Sequence, residues 1–584
     1  MVVRRVQKCG EFINDDVDLT GKDPLVLDIN AHQCIGGEDL KDAYCIVVTA
    51  PSGKQKESPF YDNYTYFVYS DPYGYCFPVI ENGRKKTYET RLSPEEEGMH
   101  SFVIYNEKRE PIHEGTFQAV YNKKWEPRVG VSKNDKHYFA YSDGRCFVPI
   151  GVDYSEPKMD LAPDDDGFHA LNYMKTNDTH QYRSRVTRDY RRVCDKMKEN
   201  GANLMRISIA DTLFDARTEF YDKCNYSALA LLDMVIEQCR ARQIKVILNL
   251  DGFHSFRPGH YKSVVKRTSD GRIINNAAAY LRSEACRREW LTELLPYLYR
   301  YGNDPNIFAF ELFSDMDAIE EIDMETIEDF TEYVIKLINR SFPDAMVVNS
   351  LSMCDSEAKK ANQRRMGKLG TAFDQVNRCF DITSELPECR EIPREMAASA
   401  ISEFRQKRKP ILLARTGAVQ DKHGAPFLYY RTDHEGILFK DTVFSPFFAG
   451  AAGTGIIVHT LEYIEANNMW EQYKAFSDMI KTVKVDKQHW KFSFSDRKWC
   501  WIMYMHGRTT TLAFIRNRSD RWDYALRDQQ QTVFYRGIRI KCQGGKRAKV
   551  YPFPNDLPMP DKLELRGDEF WLPTFAKGMF LRIR

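Results

Sequence analysis

The sequence predicts a multidomain protein in which a central (β/α)8 barrel is flanked by N-terminal and C-terminal β-sandwich domains. Three observations predict it. Residues 25 to about 122 alternate short β-like runs with turn clusters and show no helical period. From about residue 137 apolar strands alternate with long amphipathic helices, and from about residue 487 the helices vanish again. A chain of 584 residues is also too long for a single core. The expected boundaries are an extension over 1–24, a β-sandwich over 25–136, the barrel over 137–486 and a second β-sandwich over 487–584.

The first sandwich is read from "AYCIVVTAPSG", "TYFVYSDPYGY", "HSFVIYNEKREP" and "EGTFQAVYN", each a β-like run ended by Pro, Gly, Asp or charged turn residues. In the barrel, the strand candidates are 147–152, 203–209, 245–250, 307–313, 345–349, 379–382, 411–414 and 455–459. Between them lie helical stretches such as "VTRDYRRVCDKMKENG", "ALALLDMVIEQCRARQ" and "EACRREWLTELLPYLYRYG". In the second of these Leu231, Leu232, Val235 and Ile236 form the stripe of a helix lying on a sheet. An open doubly-wound sheet is the alternative, but no Gly-rich phosphate loop follows any strand. The last domain rests on "KFSFSD", "WCWIMYMHG", "TTTLAFIRNRS", "QTVFYRGIRIKC" and "GMFLRIR".

Charge and composition exclude several function classes. The 84 basic residues nearly balance the 83 acidic ones, so nothing in the net charge of +1 favours nucleic acid or an anionic membrane as partner. No apolar run approaches the roughly 20 residues of a membrane helix, and the N-terminus shows no signal-like apolar region. The 14 cysteines form no CxxC pair or zinc spacing, which points to free thiols in a reducing, cytoplasmic setting. No cofactor is expected, and Asp251 with His254 lacks the third ligand that a metal site needs.

The strand ends carry a pattern. "KENGANLMRIS", "ARQIKVILNLDGFHSF", "YGNDPNIFAFELFSDMD" and "VFSPFFAGAAGTGIIVHTLEYIEANNMWEQYKAFSDMI" resemble the second, third, fourth and eighth units of clan A glycoside hydrolases, the family 5-like barrels. "TYETRLSPEEEGMHSFVIYNEKREPIHEGTFQAVY" is similar to the immunoglobulin-like domain that precedes some of those barrels, and "TTTLAFIRNRSDRW" to the β-sandwich that follows them. The resemblance implies an acid/base at Asp315, with Ser314 where those enzymes carry Asn. It implies a nucleophile position at Arg415, in "KPILLARTGAV", and it keeps the Arg of the second strand at Arg206.

Retaining hydrolysis needs two carboxyl groups about 5 Å apart, one to attack and one to move a proton. An Asp in place of Glu withdraws the proton-transfer group by about 1.5 Å, and a misplacement of that size costs on the order of a hundredfold in rate. A guanidinium is always protonated and cannot attack carbon. The sequence therefore points to a catalytically degenerate glycosidase in which Asp315 and Arg415 form a salt bridge across the old catalytic gap. The remaining function is then glycan binding, or a structural role in a homo-oligomer or larger assembly. The alternative is an active glycoside hydrolase using Asp315 with a relocated carboxylate, Asp251 or Glu385. Asp153 and Asp211 also follow strands and read as caps or loop ligands, Asp433-His434-Glu435 as a solvated turn, and Glu311 as an interior group. No His-Tyr pair stands in "NRCFDITSELPE", and His459 occupies the eighth-strand position where a Trp usually forms the sugar floor.

Overall fold

The computed structural model describes residues 2–4, 17–18, 25–37, 40–64, 67–70, 76–79, 86–155, 180–210, 212–217, 224–256, 266–267, 273–274, 276–381, 387–398, 409–420, 425–541 and 545–584. Asp211, Glu385 and most of the 1–24 extension lie outside the described residues. The chain forms two compact units, the first from 1–128, 155–195 and 207–349, the second from 129–154, 196–206 and 350–584.

The first unit contains two five-stranded sheets and a set of parallel strands with helices. In the strand Gly98–Tyr105, His100, Phe102 and Ile104 face inward while Met99 and Ser101 face out, the period of a half-buried strand. It pairs antiparallel with Pro111–Val120 and Cys45–Thr49. Gly115 sits directly over Phe102, whose ring would lie 2.6 Å from any Cβ added there. Leu27, Ile35, Ile46, Phe102, Ile104 and Phe117 fill the core between the two sheets. The sandwich is joined to the helices of this unit by charge. Asp233, on helix Tyr226–Ala241, accepts from Arg91 at 2.6 Å, Arg300 at 2.7 Å and the Tyr301 hydroxyl at 2.6 Å.

The helices begin where the side chains cap them. Asn225, Ser283 and Asp323 accept from the backbone of Ala228, Cys286 and Thr326 at the starts of Tyr226–Ala241, Glu284–Tyr301 and Met324–Ser341. The strands Lys245–Gly252 and Ile307–Ser314 run parallel, and every residue in both is buried, the expected state of a parallel strand covered on both faces. Val347–Val348 pairs parallel to Ile307–Ser314.

In the second unit Gly151–Asp153 runs parallel to Leu204–Ser208, and Asp374–Asp381 runs parallel to Ile411–Gln420. Residues 452–456 lie between these pairs: Ala452 and Ile456 donate to Ile411 and Leu413, and Thr454 donates to Pro149. Three expected strands differ here. The run 147–152 is divided, because Phe147 belongs to a small antiparallel sheet with Val129–Val131 and Phe139–Tyr141, and Pro149 has no N–H to continue a ladder. The 379–382 strand begins earlier, at Asp374, and the polar Asp374, Gln375 and Asn377 hid its start. The 455–459 strand reduces to one bridge, Thr416 to Ile457, since Gly453 and Gly455 press their backbones against Pro149 and Thr442.

The C-terminal part of this unit has a six-stranded and a three-stranded sheet around Ile502, Ile515, Ile540, Phe570 and Leu581. Arg516 is fully buried and meets Asp441 at 2.6 Å, Asp520 at 2.7 Å and the Lys577 carbonyl at 2.6 Å. An α/β region is thus accompanied by antiparallel sheet regions on either side in sequence. Among the described residues no helix is long and apolar enough to cross a membrane, and eleven of the 14 cysteines are free thiols.

Candidate active site

Parallel strands bring their C-terminal ends to one edge, and that edge is where α/β folds build sites. Asp315 and Ser314 end the Ile307–Ser314 strand in the first unit, with Asp251 and His254 at the end of the Lys245–Gly252 strand beside it. Arg206, Arg415 and His459 belong to the second unit.

In the first unit, Asp315 is buried and adopts a left-handed backbone (φ 54°) that opens the short turn Met316–Ala318. Asp is one of the few non-glycine residues that tolerate this conformation. Ser314 is the register partner of Gly252. Asp251 is fully buried and saturated: Arg217 at 2.9 Å and Trp290 Nε1 at 2.8 Å donate to Oδ2, and Gly252 N–H at 2.9 Å and the Ser255 hydroxyl donate to Oδ1. Arg217 in turn holds Asp215 with two bonds of 2.8 and 2.9 Å. A carboxylate whose two oxygens already accept from a cation and three neutral donors has no lone pair left to offer a substrate. His254 is exposed and packs its ring on Phe253, centroids 4.0 Å apart. Glu311 is buried within the strand, the interior position its parity implies.

In the second unit, Arg206 is buried and donates to Asp153 at 2.9 Å, a register partner on the neighbouring strand. The ladder between Asp374–Asp381 and Ile411–Gln420 shifts at one point: Val376 faces Leu413, but Asn377 faces Arg415. Ala414 is the extra residue of this bulge, and bulges re-aim the side chain that follows them. Arg415 is consequently half-buried within an otherwise buried run.

His459 is held neutral. Burial first, and the charge of Arg415 second, lower its pKa to about 4. Its Nδ1 is buried and has no hydrogen-bond partner among the described residues. Its ring lies 5.6 Å from that of Tyr430, which stacks on Tyr463 at 4.1 Å. The Tyr430 hydroxyl accepts from Ala418 N–H at 2.6 Å. That contact requires Gly417: its φ is 142°, and a Cβ added there would stand 2.8 Å from the Tyr430 oxygen, which leaves no room for a side chain.

Asp433 is not solvated, contrary to expectation. It is fully buried, receives Ile437 and Leu438 N–H at 2.8 and 3.0 Å and the Tyr463 hydroxyl at 2.5 Å, and its carboxyl is raised by burial. It caps the helical segment that follows, a role the loop-like "TDHEG" concealed. Sequence reasoning also missed Glu462, in the turn after His459. Its side chain is exposed at the surface, yet the packing around it and the negative charge of Asp153 raise its carboxyl pKa. The clamp of Arg217, Ser255 and Trp290 on Asp251 was missed as well. The only available signal was that a carboxylate inside an apolar strand end needs a cation, and linear spacing does not say which.

No family model matches the chain, and no curated protein matches it. Among solved structures, a provisionally assigned glycoside hydrolase from Bacteroides vulgatus aligns over 96% of this chain and 99% of its own, at 13% identity and a TM-score of 0.57. A family 5 mannosidase from Rhizomucor miehei aligns over 56% of this chain and 85% of its own, at 14% identity and a TM-score of 0.38. A family 30 endoxylanase from Clostridium papyrosolvens aligns over 78% and 99%, at 10% identity and a TM-score of 0.42. The first alignment shows that the chain has a glycoside-hydrolase-like fold, and at such identities the likeness is one of fold alone.

Proposed function

We propose that this chain is a glycosidase-fold protein that no longer hydrolyses glycosides and binds a carbohydrate at the C-terminal ends of its parallel strands. On this reading the α/β region is a (β/α)8 barrel over 137–486, preceded by an immunoglobulin-like sandwich and followed by a second sandwich. The observation that carries the proposal is Arg415. A bulge aims a permanent cation from the strand position where the resemblance expects a nucleophilic carboxylate. The two carboxylates nearest in kind do not replace it: Asp251 is locked by four donors and Asp153 by Arg206. The half-buried ring of His459, held neutral at the end of this strand region, is the group offered to a sugar, while its buried Nδ1 edge and the buried Tyr430 ring hold it in place from behind.

The test is a panel of aryl-glycosides together with titration calorimetry against oligosaccharides. The expected result is no cleavage by the wild type or by Asp315→Asn, and oligosaccharide binding that weakens in His459→Ala. Appreciable cleavage abolished by Asp315→Asn overturns the proposal.

A second reading, an active hydrolase with relocated carboxylates, draws on Glu462. A carboxyl raised by its surroundings beside a second carboxylate is the pattern of a glycosidase general acid. Cleavage in the same panel that is lost in Glu462→Gln but kept in Asp315→Asn would select this reading.

A further inference from the structure

The C-terminal sheets carry aromatic rings at the surface, two of them exposed and a third, Tyr535, packed partly on the core beneath. Strands Lys491–Asp496 and Cys500–His506 are joined by a tight turn through Arg497, Lys498 and Trp499, closed by Arg497 N–H to Cys500 O at 3.0 Å. Trp499 at the tip is 44% exposed. Its ring meets Tyr535, centroids 5.3 Å apart and tilted by 36°. Beside Tyr535 in sequence stand Phe534, 59% exposed, and Val533, 44% exposed. The backbone is pinned on both sides of Phe534: Val533 N–H donates to Ser519 at 2.9 Å and its carbonyl accepts from Asn517 at 2.7 Å, while Tyr535 and Phe575 exchange backbone bonds of 3.1 and 3.2 Å. The rings are therefore presented to solvent by an anchored backbone. Trp499 and the half-buried Tyr535 are in ring contact, and exposed Phe534 follows next to them along the chain; exposed aromatic surface of this kind marks an interaction site.

The surrounding charge selects the occupant. Arg497 donates only to neutral oxygens, the Arg539 carbonyl at 2.6 Å and the Ser495 hydroxyl at 3.2 Å. Lys498 lies over the Trp499 ring, its Nζ 4.2 Å from the centroid, a contact worth only about 0.5–1 kcal/mol at an exposed site and so readily displaced. Among the described residues neither of these cations, nor Arg536 next to Tyr535, forms an ion pair. The neighbouring acid, Asp496, is taken by Arg518 at 3.0 Å and Arg394 at 3.5 Å. The patch thus offers flat rings with uncompensated positive charge. A sugar ring presents a flat C–H face to an aromatic ring, and an acidic sugar brings the missing negative charge. We propose that Trp499, Phe534 and Tyr535 form a docking platform for an anionic polysaccharide. The choice of a sugar over an acidic peptide rests on the carbohydrate reading above.

The test is affinity electrophoresis of the full chain in gels containing polygalacturonate, dextran sulfate or neutral dextran, with poly-glutamate as a fourth arm. Retardation by an anionic polysaccharide and not by dextran is expected, and polygalacturonate against dextran sulfate tells carboxylate from sulfate recognition. Trp499→Ala and Phe534→Ala should each weaken binding on the order of tenfold. Both are surface changes, and an unchanged melting temperature shows that each variant is folded. His459→Ala should leave the retardation intact, so failure of the strand-end proposal is read separately from failure of this one. Equal retardation of the wild type and both ring variants, or equal retardation by poly-glutamate, overturns the platform.

Discussion

Replacing Arg415 by Met tests whether the strand bulge places a cation beside His459. In the wild type burial and that cation together bring the His459 pKa from 6.5 to about 4, burial being the larger cause. Removing the charge therefore recovers less than half of the depression. The pKa in Arg415→Met should rise but remain below about 5.3, midway between the two values. At about 1.36 kcal/mol per pKa unit, the repulsion between the two side chains is then worth less than about 1.7 kcal/mol. Arg415→Lys, which keeps the charge, should leave the pKa close to its wild-type value. The assay is an NMR titration of ring-labelled histidine, with the His459 signal assigned by its absence in His459→Gln. A wild-type His459 that titrates near 6.5, or one indifferent to Arg415→Met, would refute the arrangement.

Other perturbations probe the same architecture. Arg217→Met should destabilise the first unit by about 3–5 kcal/mol, because it leaves Asp251 charged and buried without its cation; thermal unfolding of the variant measures this. His32, whose ring nitrogens meet Ser93 at 2.9 Å and the Arg300 carbonyl at 2.6 Å, has its pKa lowered to about 3, first by burial. The unfolded chain then binds the proton that the folded one refuses, so stability is full above pH 6.5 and falls as the pH drops toward 3. The loss should reach about 2 kcal/mol by pH 5, and His32→Gln, which keeps a donor and an acceptor but cannot titrate, should flatten the dependence seen in denaturant melts. Gly417→Ala should cost about 1–3 kcal/mol through its positive φ and its clash with Tyr430. Part of that cost should disappear in the background of Tyr430→Phe, and a double-mutant cycle of melting temperatures would expose the coupling.

Much of the fold was legible because periodicity is local. The helices at 180–200, 226–241 and 284–301 declared themselves by their amphipathic patterns, and the strands at 245–252 and 307–314 by apolar runs interrupted only by Asn249, Asp251 and Glu311 before their polar ends. The strand at 374–381 was legible only in its second half, since a strand buried by hydrogen-bonded polar groups looks like a loop. Asn377, for example, donates to the Leu351 carbonyl at 2.7 Å. The site was legible as positions and not as partnerships. Arg206, Arg415 and His459 could be placed at strand ends from the sequence, but the Arg206–Asp153 bond and the displacement at Ala414 depend on register, which no single segment encodes. Buried acids were the hardest case. Asp433 and Asp251 sit in stretches that read as polar turn and apolar strand end, and most of their donors come from residues 4 to 39 positions away.

The carboxylate of Asp233 has a consequence for how this protein can be divided. Arg91, contributed by the N-terminal sheets, and Arg300 and Tyr301, contributed by a helix of the α/β region, converge on that one side chain. A proteolytic cut or genetic truncation that removed the sheets would leave the helices with Asp233 and Arg300 sealed in a seam now open to water, and with His32 withdrawn from the Arg300 carbonyl. The N-terminal sheets therefore behave as a fixed part of one folding unit. They are poorly suited to being exchanged, transplanted or shed as an independent cassette.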